Sequence, residues 1–210
     1  MSIILDNVKT DIFSNISLEL KEGEKIAIIG ENGIGKTTFL RTLMGLIPFE
    51  GRVEILGEKL ESKKDFRAVY SELGYLFQDS DDSFIAPSVL EELAFSLYNK
   101  TGDFEGALLK AEALAKEFNI EHIKDKVPIK LSGGQKRITA IAAVLLHEPK
   151  LLLLDEPSNH LDSKVAQMVQ NKLKEFQGSM VLVAHDIEFA RGIVDKFYEL
   201  KNDELKEVHI

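Results

Sequence analysis

A glycine-rich segment early in the chain contains the residue types that bind phosphate. Gly30-Glu31-Asn32-Gly33-Ile34-Gly35-Lys36-Thr37, followed by Thr38, fits the pattern G-x-x-x-x-G-K-[ST] without a mismatch. Glycines let the backbone curl so that successive N–H groups face anionic oxygens, and the following helix adds its positive end. Lys36 can reach the β- and γ-phosphates of a nucleotide, and the Thr37 hydroxyl can bind Mg²⁺. This phosphate loop, Gly30–Thr38, therefore predicts a nucleoside triphosphate site.

Two adjacent carboxylates late in the chain are the expected companions of such a loop. Asp155 and Glu156 directly follow Leu151–Leu154, an apolar run typical of a buried strand. Ligands of open α/β sheets bind at the carboxyl ends of the strands, so both acids are expected at that edge. Asp155 is suited to hold Mg²⁺ directly or through water, and Glu156 to act as general base on the attacking water.

A second segment combines a hydroxyl with two glycines at a predicted helix start. This signature segment runs from Leu131 through Ser132, Gly133, Gly134 and Gln135, and helical apolar spacing continues to Leu146. Backbone N–H groups and the helix dipole make such a start an anion site. The chain thus has two predicted anion-binding helix ends.

Short apolar strands and amphipathic helices alternate around these segments. Strands are predicted near Ser2–Val8, Ile16–Leu20, Lys25–Ile29, Arg52–Leu56, Leu73–Phe77, Lys150–Leu154 and Met180–Ala184, with two more at the C-terminus. Helices are predicted over Lys36–Met44, Ser88–Tyr98, Phe104–Phe118, Gly134–Leu146, Ser163–Phe176 and Asp186–Gly192. The alternation indicates an α/β fold with a mostly parallel sheet.

The helical texture of residues 80–148 interrupts two strand-rich parts. We expect one domain over residues 1–210, with 1–79 and 149–210 as a nucleotide-binding α/β core and 80–148 as an inserted, signature-bearing helical subdomain. The chain has 210 residues, 44% of them hydrophobic, which is enough for a substantial core. Its net charge of −9 argues against sequence-independent binding of nucleic acid, which needs a cationic face. The absence of cysteine excludes disulfides and thiolate metal sites.

The sequence also bears on location. Met1–Asp6 has no basic region leading into a long apolar stretch, so no signal peptide is expected. The longest apolar run, Ile138–Leu146, has about half of the roughly 20 residues that a membrane-spanning helix needs. We therefore expect a cytoplasmic protein that is soluble alone and that, if it works at a membrane, is brought there by a partner.

Six motifs, taken in chain order, resemble those of the ATP-binding-cassette (ABC) ATPases. Leu131–Gln135 is the LSGGQ signature of that family, and the other matches are Gly30–Thr38 to the Walker A loop, Gln78 to the Q-loop, Leu151–Glu156 to the Walker B strand, Ser158–Asp162 to the D-loop and His185 to the switch histidine. The resemblance covers almost the whole chain. It implies a P-loop NTPase core with a mostly parallel sheet, an N-terminal antiparallel β subdomain and an inserted helical subdomain.

The resemblance also implies how the motifs act together. ATP and Mg²⁺ bind through Lys36, Thr37, Thr38 and Asp155, and Gln78 approaches the metal and the water. Two subunits, either two copies or this chain with a paired ABC ATPase, meet head-to-tail. Ser132–Gln135 of one subunit then covers the γ-phosphate held by the other, while Glu156 activates water that Gln78 and His185 hold in line. His147 and His160 match no catalytic position and are expected to be structural.

The chain departs from the family pattern near its N-terminus. The family usually has an aromatic residue that stacks on adenine, whereas Val8–Phe13 is shortened here, and Phe13 is expected to be a core residue. The sequence therefore does not identify which residue stacks on adenine. Phe77–Pro87 and Ala94-Phe95 resemble ATPases of energy-coupling-factor importers and their cobalt or nickel relatives, although Asp79-Ser80 and Ser83 replace the usual Asn-Pro and Gln. This implies a transmembrane transporter subunit as partner and a metal ion or vitamin as cargo.

Other functions stay open at this stage. One is an export or lipid-extrusion ATPase of the same family. Another is a soluble ABC protein acting on ribosomes, which the D-loop sequence Ser158–Asp162 slightly favours. A DNA-repair or chromosome-organising ATPase would need a long coiled coil, and no sustained heptads are present. The acidic run Asp79, Asp81 and Asp82 is either a solvated loop or a surface that meets a basic helix of a membrane partner.

Overall fold

The molecule contains two β-sheets, one antiparallel and one mostly parallel. A computed structural model describes residues 1–62, 64–79 and 84–210. The antiparallel sheet has the order β2-β1-β4-β5. Its strands are β1 (Ile3–Lys9), β2 (Ile16–Leu20), β4 (Glu50–Ile55) and β5 (Glu58–Lys59). Alternate residues of β2 are buried, which is the pattern of a strand with one face on the core.

The larger sheet has the order β10-β9-β3-β8-β7-β6, and only β10 runs antiparallel to its neighbour. Its strands are β3 (Lys25–Ile29), β6 (Leu73–Leu76), β7 (Leu151–Asp155), β8 (Ser179–Val183), β9 (Lys196–Lys201) and β10 (Glu204–Val208). Every residue of β7 and β8 is buried. Strands buried on both faces are typical of parallel sheets covered by other elements on each side.

Six α-helices surround the sheets in the described parts of the chain: α1 (Lys36–Leu43), α2 (Val89–Thr101), α3 (Phe104–Glu117), α4 (Gly133–Leu146), α5 (Ser163–Glu175) and α6 (Ile187–Arg191). Side-chain caps define most of their starts. Asp103 accepts a hydrogen bond from Gly106 N–H at the start of α3, and Asp162 accepts from two N–H groups at the start of α5. The predicted helix start in the segment Leu131–Gln135 is confirmed, with Ser132 as the cap of α4.

Strand β7 separates two apolar cores. Leu151 and Leu153 point into the core shared with the antiparallel sheet and α1. Leu152 and Leu154 point into the core shared with the helices. Because successive side chains of a strand face opposite ways, this one strand holds both layers together and fixes the position of Asp155 at its end.

The predicted fold class is confirmed, and the element boundaries differ from the predictions by a few residues. The division into a core of 1–79 and 149–210 and a helical subdomain of 80–148 remains a prediction; β6 ends at Leu76, and α2, α3 and α4 lie between it and β7. Of the predicted acidic run, Asp81 and Asp82 lie outside the described residues. Within the described parts of the chain, no helix has the length and apolar character needed to cross a bilayer.

Candidate active site

Four neighbouring parallel strands bring the predicted site residues to one edge of the sheet. In the order β3, β8, β7, β6, these strands lead into the phosphate loop, His185, the Asp155–Glu156 pair and Gln78. The register places Asp155 opposite Val183, and Leu76 opposite Leu154. Since the strands are parallel and in register, their carboxyl ends lie side by side, which is where open α/β sheets bind ligands.

The phosphate loop depends on glycine at two crowded positions. Gly30 has φ +150°, and a Cβ there would lie 2.6 Å from the Leu200 carbonyl oxygen. Gly35 has φ +110°, and a Cβ there would lie 2.8 Å from Ile12 Cγ2. A side chain at either position would clash with its neighbour and strain the backbone. The loop can therefore turn directly from β3 into the N-terminus of α1.

Lys36 lies inside this turn. Its Nζ donates hydrogen bonds to the carbonyl oxygens of Gly30, at 2.7 Å, and Glu31, at 2.9 Å. The residue is buried, and burial lowers the pKa of its ammonium group, while the carboxylates of Glu156 and Asp155 act in the opposite direction. The ammonium group is thus a cation held within the loop, close to both acids.

Asp155 offers a carboxylate suited to a divalent cation. It is fully buried, and no described residue donates a hydrogen bond of normal geometry to either of its oxygens. Burial raises the pKa of its carboxyl group, and the neighbouring Thr37 hydroxyl partly opposes this shift. Thr37 Oγ1 lies 3.5 Å from Gln78 Oε1, so a second and a third oxygen are close by. An unsatisfied buried carboxylate with these two oxygens beside it fits the preference of Mg²⁺ for oxygen ligands.

The Glu156 side chain is held from two sides. Its Oε1 lies 3.1 Å from His185 Nε2, and its Oε2 accepts a hydrogen bond from Asn159 Nδ2. The residue is 9% exposed, and its φ of +52° lies in the left-handed region that few residues other than glycine adopt. Backbone strain of this kind is retained where surrounding contacts fix the residue, so the direction of the carboxylate is well defined.

The phosphate loop faces a cleft of about 500 Å³. Its lining brings together most of the predicted residues of this half of the site: Asn32, Gly33, Gly35, Lys36, Thr37, Thr38, Gln78, Glu156 and His185. Ile12 also lines the cleft, with 46% of its surface exposed. Phe13 is buried, and its ring centroid lies 6.4 Å from that of Phe39, so the prediction that Phe13 is a core residue is confirmed.

The signature segment lies in a different cleft. Ser132 caps α4 in a capping box with Gln135, because each side chain accepts a hydrogen bond from the other's N–H group. Ser132, Gly134 and Gln135 line a cleft of about 500 Å³ together with His160. The His160 carbonyl oxygen lies 2.9 Å from where a Cβ on Gly134 would be. Within one chain, the signature segment and the phosphate loop therefore do not share a cleft.

Sequence reasoning missed three residues of the site. Ile12 was overlooked because the residue expected beside the base is aromatic. Its apolar side chain next to Phe13, a predicted core residue that is indeed buried, could have pointed to it. Asn159 was seen only as part of the D-loop match, and its contact with Glu156 depends on the turn after β7. Arg137 lies in the predicted helix Gly134–Leu146 and belongs to none of the six motifs, but its buried side chain donates hydrogen bonds at the two strand ends.

A family model described as "ABC transporter" matches residues 13–159 of the chain. Among curated proteins, a putative ABC transporter ATP-binding protein of Brucella suis is 36% identical over 195 residues, covering 93% of this chain and 82% of the relative. A putative ABC transporter ATP-binding protein of Methanopyrus kandleri is 39% identical over 186 residues, covering 86% of this chain and 69% of the relative.

Solved structures with the same fold are also known. The ATP-binding cassette MJ0796, in a dimeric post-hydrolysis state bound to ADP and Pi, aligns with a TM-score of 0.87 at 30% identity, covering 98% of this chain and 97% of the other. The cbiO1 protein of Clostridium perfringens, described as part of the ABC transporter complex cbiONQ, aligns with a TM-score of 0.81 at 28% identity, covering 97% and 86%.

Proposed function

The chain belongs to the ABC transporter ATPase family, and we propose that it is the ATP-hydrolysing subunit of a membrane importer, acting as one half of a head-to-tail dimer. ATP binding and hydrolysis follow from the family. One observation supports the remaining roles most strongly. Lys36, Thr37, Gln78, Glu156 and His185 line a single cleft, whereas the signature segment lies in another.

In this proposal, the phosphate loop and the nearby oxygen donors bind the substrate, ATP. Backbone N–H groups of Gly30–Thr38 and the Lys36 ammonium group hold the phosphates. Thr37, Gln78 and Asp155 are the residues that would hold Mg²⁺. The cation would supply positive charge at the β- and γ-phosphates. Its presence would also satisfy the Asp155 carboxylate, which has no described hydrogen-bond donor.

Glu156 is the proposed general base. A carboxylate in this position takes a proton from the attacking water as the water approaches phosphorus. His185 and Asn159 hold its two oxygens, so the carboxylate is aimed before substrate binds. His185 and Gln78 lie on either side of Glu156 in the order of the strands, and we assign them to orienting the water.

The second half of the site is proposed to come from a partner cassette. The N-terminus of α4 presents the exposed backbone of Gly133 and the half-buried backbone of Gly134, while the Ser132 N–H group is bonded to Gln135 Oε1. A helix start of this kind binds anions, and here it lies away from the chain's own phosphate loop. Two copies, or this chain with a paired ATPase subunit, would bring each signature segment onto the γ-phosphate of the other.

A groove beside β6, the strand that leads to Gln78, is the proposed contact for a transmembrane subunit. It has a volume of about 390 Å³ and lies between β6 and the helices α2 and α4, with Tyr75, Phe95 and His147 in its lining. Phe95 is 39% exposed although it is aromatic. Since β6 leads directly to Gln78, a cytoplasmic helix seated here would sense the nucleotide site, and the chain would sit peripherally on the membrane.

This contact can be tested apart from catalysis. Phe95→Glu should abolish copurification with the membrane subunit and leave basal ATPase activity unchanged. The matched control is Leu109→Glu on α3, because Leu109 is 69% exposed and does not line the groove. Copurification that survives Phe95→Glu would contradict the docking assignment.

The proposed cargo is a metal ion or a vitamin, and the proposed direction of transport is import. This assignment rests on the resemblance of Phe77–Pro87 to importer ATPases and on the 28% identity to a chain described as part of an ABC transporter complex. Identification of the copurifying membrane protein tests it directly. A partner with a substrate-capture subunit supports import, and an exporter-type partner contradicts it.

The proposed catalytic role is tested by Glu156→Gln. We expect ATP to bind with unchanged affinity, hydrolysis to slow by about 100-fold or more, and an ATP-bound dimer to accumulate. Glu175→Gln is the control, since that side chain is 71% exposed on α5 and does not line the cleft. Turnover near the wild-type rate would show that Glu156 is not the base.

A further inference from the structure

Arg137 is the largest fully buried side chain of the molecule's described part. It lies on α4, two residues after the signature segment ends at Gln135, and only 1% of its surface is exposed. A buried arginine is uncommon unless its guanidinium is fully engaged. Arg137 lies where α4, the signature helix, meets the strand ends that form the nucleotide site.

The Arg137 guanidinium donates hydrogen bonds to four backbone carbonyls on two strand ends. Nη1 donates to the carbonyl oxygens of Phe77, at 2.6 Å, and Gln78, at 3.2 Å. Nη2 donates to those of Glu156, at 2.7 Å, and Asp155. One side chain thus ties the segment after β6 and the segment after β7 to the signature helix.

The electrostatic setting explains why a cation is stable here. Burial lowers the pKa of the Arg137 guanidinium to about 10, and the charges of Asp155, Glu156 and Asp79 act in the opposite direction. The group therefore stays protonated at neutral pH. The four carbonyls lie at or just beyond the ends of β6 and β7, where backbone groups need partners from outside the sheet. A planar guanidinium with several donors can satisfy them together, which a lysine cannot do.

We propose that Arg137 is a positioning residue that couples the two nucleotide sites of the dimer by fixing the signature helix to the chain's own Gln78 and Glu156. Gln78 and Glu156 serve the nucleotide bound by the same chain, whereas the signature segment serves the nucleotide of the partner. A shift of either strand end would be passed through the guanidinium to the helix start. This inference rests on the head-to-tail dimer of the proposed function.

The phosphate loop makes no hydrogen bond to Arg137 among the contacts described above. Loss of the guanidinium should therefore spare ATP binding to the single chain and weaken the steps that need both subunits. A small displacement of positioned groups can lower turnover on the order of 100-fold. A residue that only fills space in the core would instead change folding and nucleotide affinity together.

The test compares Arg137→Gln and Arg137→Lys, each alone and combined with Glu156→Gln. The measurements are nucleotide affinity, kcat and KM for ATP, and the dimer fraction formed with ATP by size-exclusion chromatography with light scattering. Arg52→Gln is the control, because Arg52 lies exposed on β4 and pairs only with Glu54 among the described ion pairs.

The proposal predicts that Arg137→Gln binds ATP within about threefold of wild type, because the phosphate loop is untouched. Its kcat should fall on the order of 100-fold, and in the Glu156→Gln background it should no longer form the ATP dimer. Arg137→Lys keeps the positive charge but loses the planar guanidinium with its several donors, so its kcat and dimer fraction should be intermediate. Arg52→Gln should match wild type.

Wild-type turnover and dimer formation by Arg137→Gln would overturn the proposal. If Arg137→Gln does not fold, Arg137→Lys decides: reduced kcat with intact affinity supports coupling, whereas parallel loss of affinity and kcat marks a structural residue and overturns it. If Glu156→Gln alone forms no ATP dimer, the head-to-tail proposal fails and this inference fails with it. If Glu156→Gln forms the ATP dimer and the double variant with Arg137→Gln does not, the head-to-tail proposal stands and the role of Arg137 is supported separately.

Discussion

Asp155→Asn should make the nucleotide-free protein more stable while removing its response to Mg²⁺. The wild-type carboxylate is fully buried, and no described residue donates a hydrogen bond of normal geometry to it. A buried unsatisfied polar group costs about 1–3 kcal/mol, and more when charged. The amide is nearly the same shape and is neutral, and Arg137 still has the backbone carbonyl of residue 155 as an acceptor. For a chain of this size, 1 kcal/mol corresponds to roughly 2–4 °C, so a gain of several degrees in Tm is expected.

The pH dependence of this effect has a defined sign. Burial raises the pKa of Asp155 above 3.8 in the folded protein, so the unfolded chain releases this proton first as pH rises. The buried carboxyl therefore lowers stability progressively from about pH 3.8 up through its folded pKa, and the full cost is present at neutral pH. The advantage of Asp155→Asn should be largest at neutral pH and shrink towards pH 4.

Thermal unfolding measured with and without Mg²⁺ and ATP checks both statements. Wild type should gain stability from Mg²⁺ added with ATP, and Asp155→Asn should gain much less. Asp195→Asn is the control, because that carboxylate already accepts a hydrogen bond from Lys25 N–H, at 2.8 Å. A variant that melts below wild type at neutral pH, or one that keeps the full Mg²⁺ response, would refute the assignment of Asp155 as the unsatisfied metal ligand.

Three further predictions concern residues around the cleft. Ile12→Tyr should tighten ATP binding, since the exposed aliphatic side chain beside the loop offers a base only van der Waals contact, whereas an aromatic ring can stack on it; direct binding measurements that show no change in affinity would contradict this. Phe13→Ala should cost about 3–5 kcal/mol in chemical denaturation, whereas Ile12→Ala should cost much less, because only Phe13 is buried. Asn159→Ala should lower kcat with little change in KM, since it frees one oxygen of Glu156; steady-state kinetics with an unchanged kcat would count against that role.

The fold could be predicted because the strands and helices have strong local signals. Lys25–Ile29, Leu151–Asp155 and Ser179–Val183 are apolar over their whole length or nearly so, and each is followed by turn or site residues. The helix starts at Asp103 and Ser132 follow from capping chemistry that acts within three residues. Local rules of this kind do not depend on the tertiary structure.

The remaining features depend on contacts between distant segments. The Arg137 guanidinium meets Phe77 and Asp155, which are 60 and 18 residues away, so no spacing within α4 predicts its burial. Ile12 lies over Gly35 because the turn after β1 brings it there. A search of the sequence for aromatic stacking could not find this aliphatic contact.

Complementation between two inactive variants tests most directly the claim that the phosphate loop is half a site. Lys36→Ala keeps the signature segment, and Gly134→Asp keeps the phosphate loop, and each should be inactive alone. In a head-to-tail mixed dimer, the loop of one and the signature segment of the other form one intact site. We predict that mixing restores ATPase activity in proportion to the mixed dimer formed. If the mixture stays as inactive as its components while mixed dimers are present, the phosphate loop is not completed by the signature segment of a second subunit.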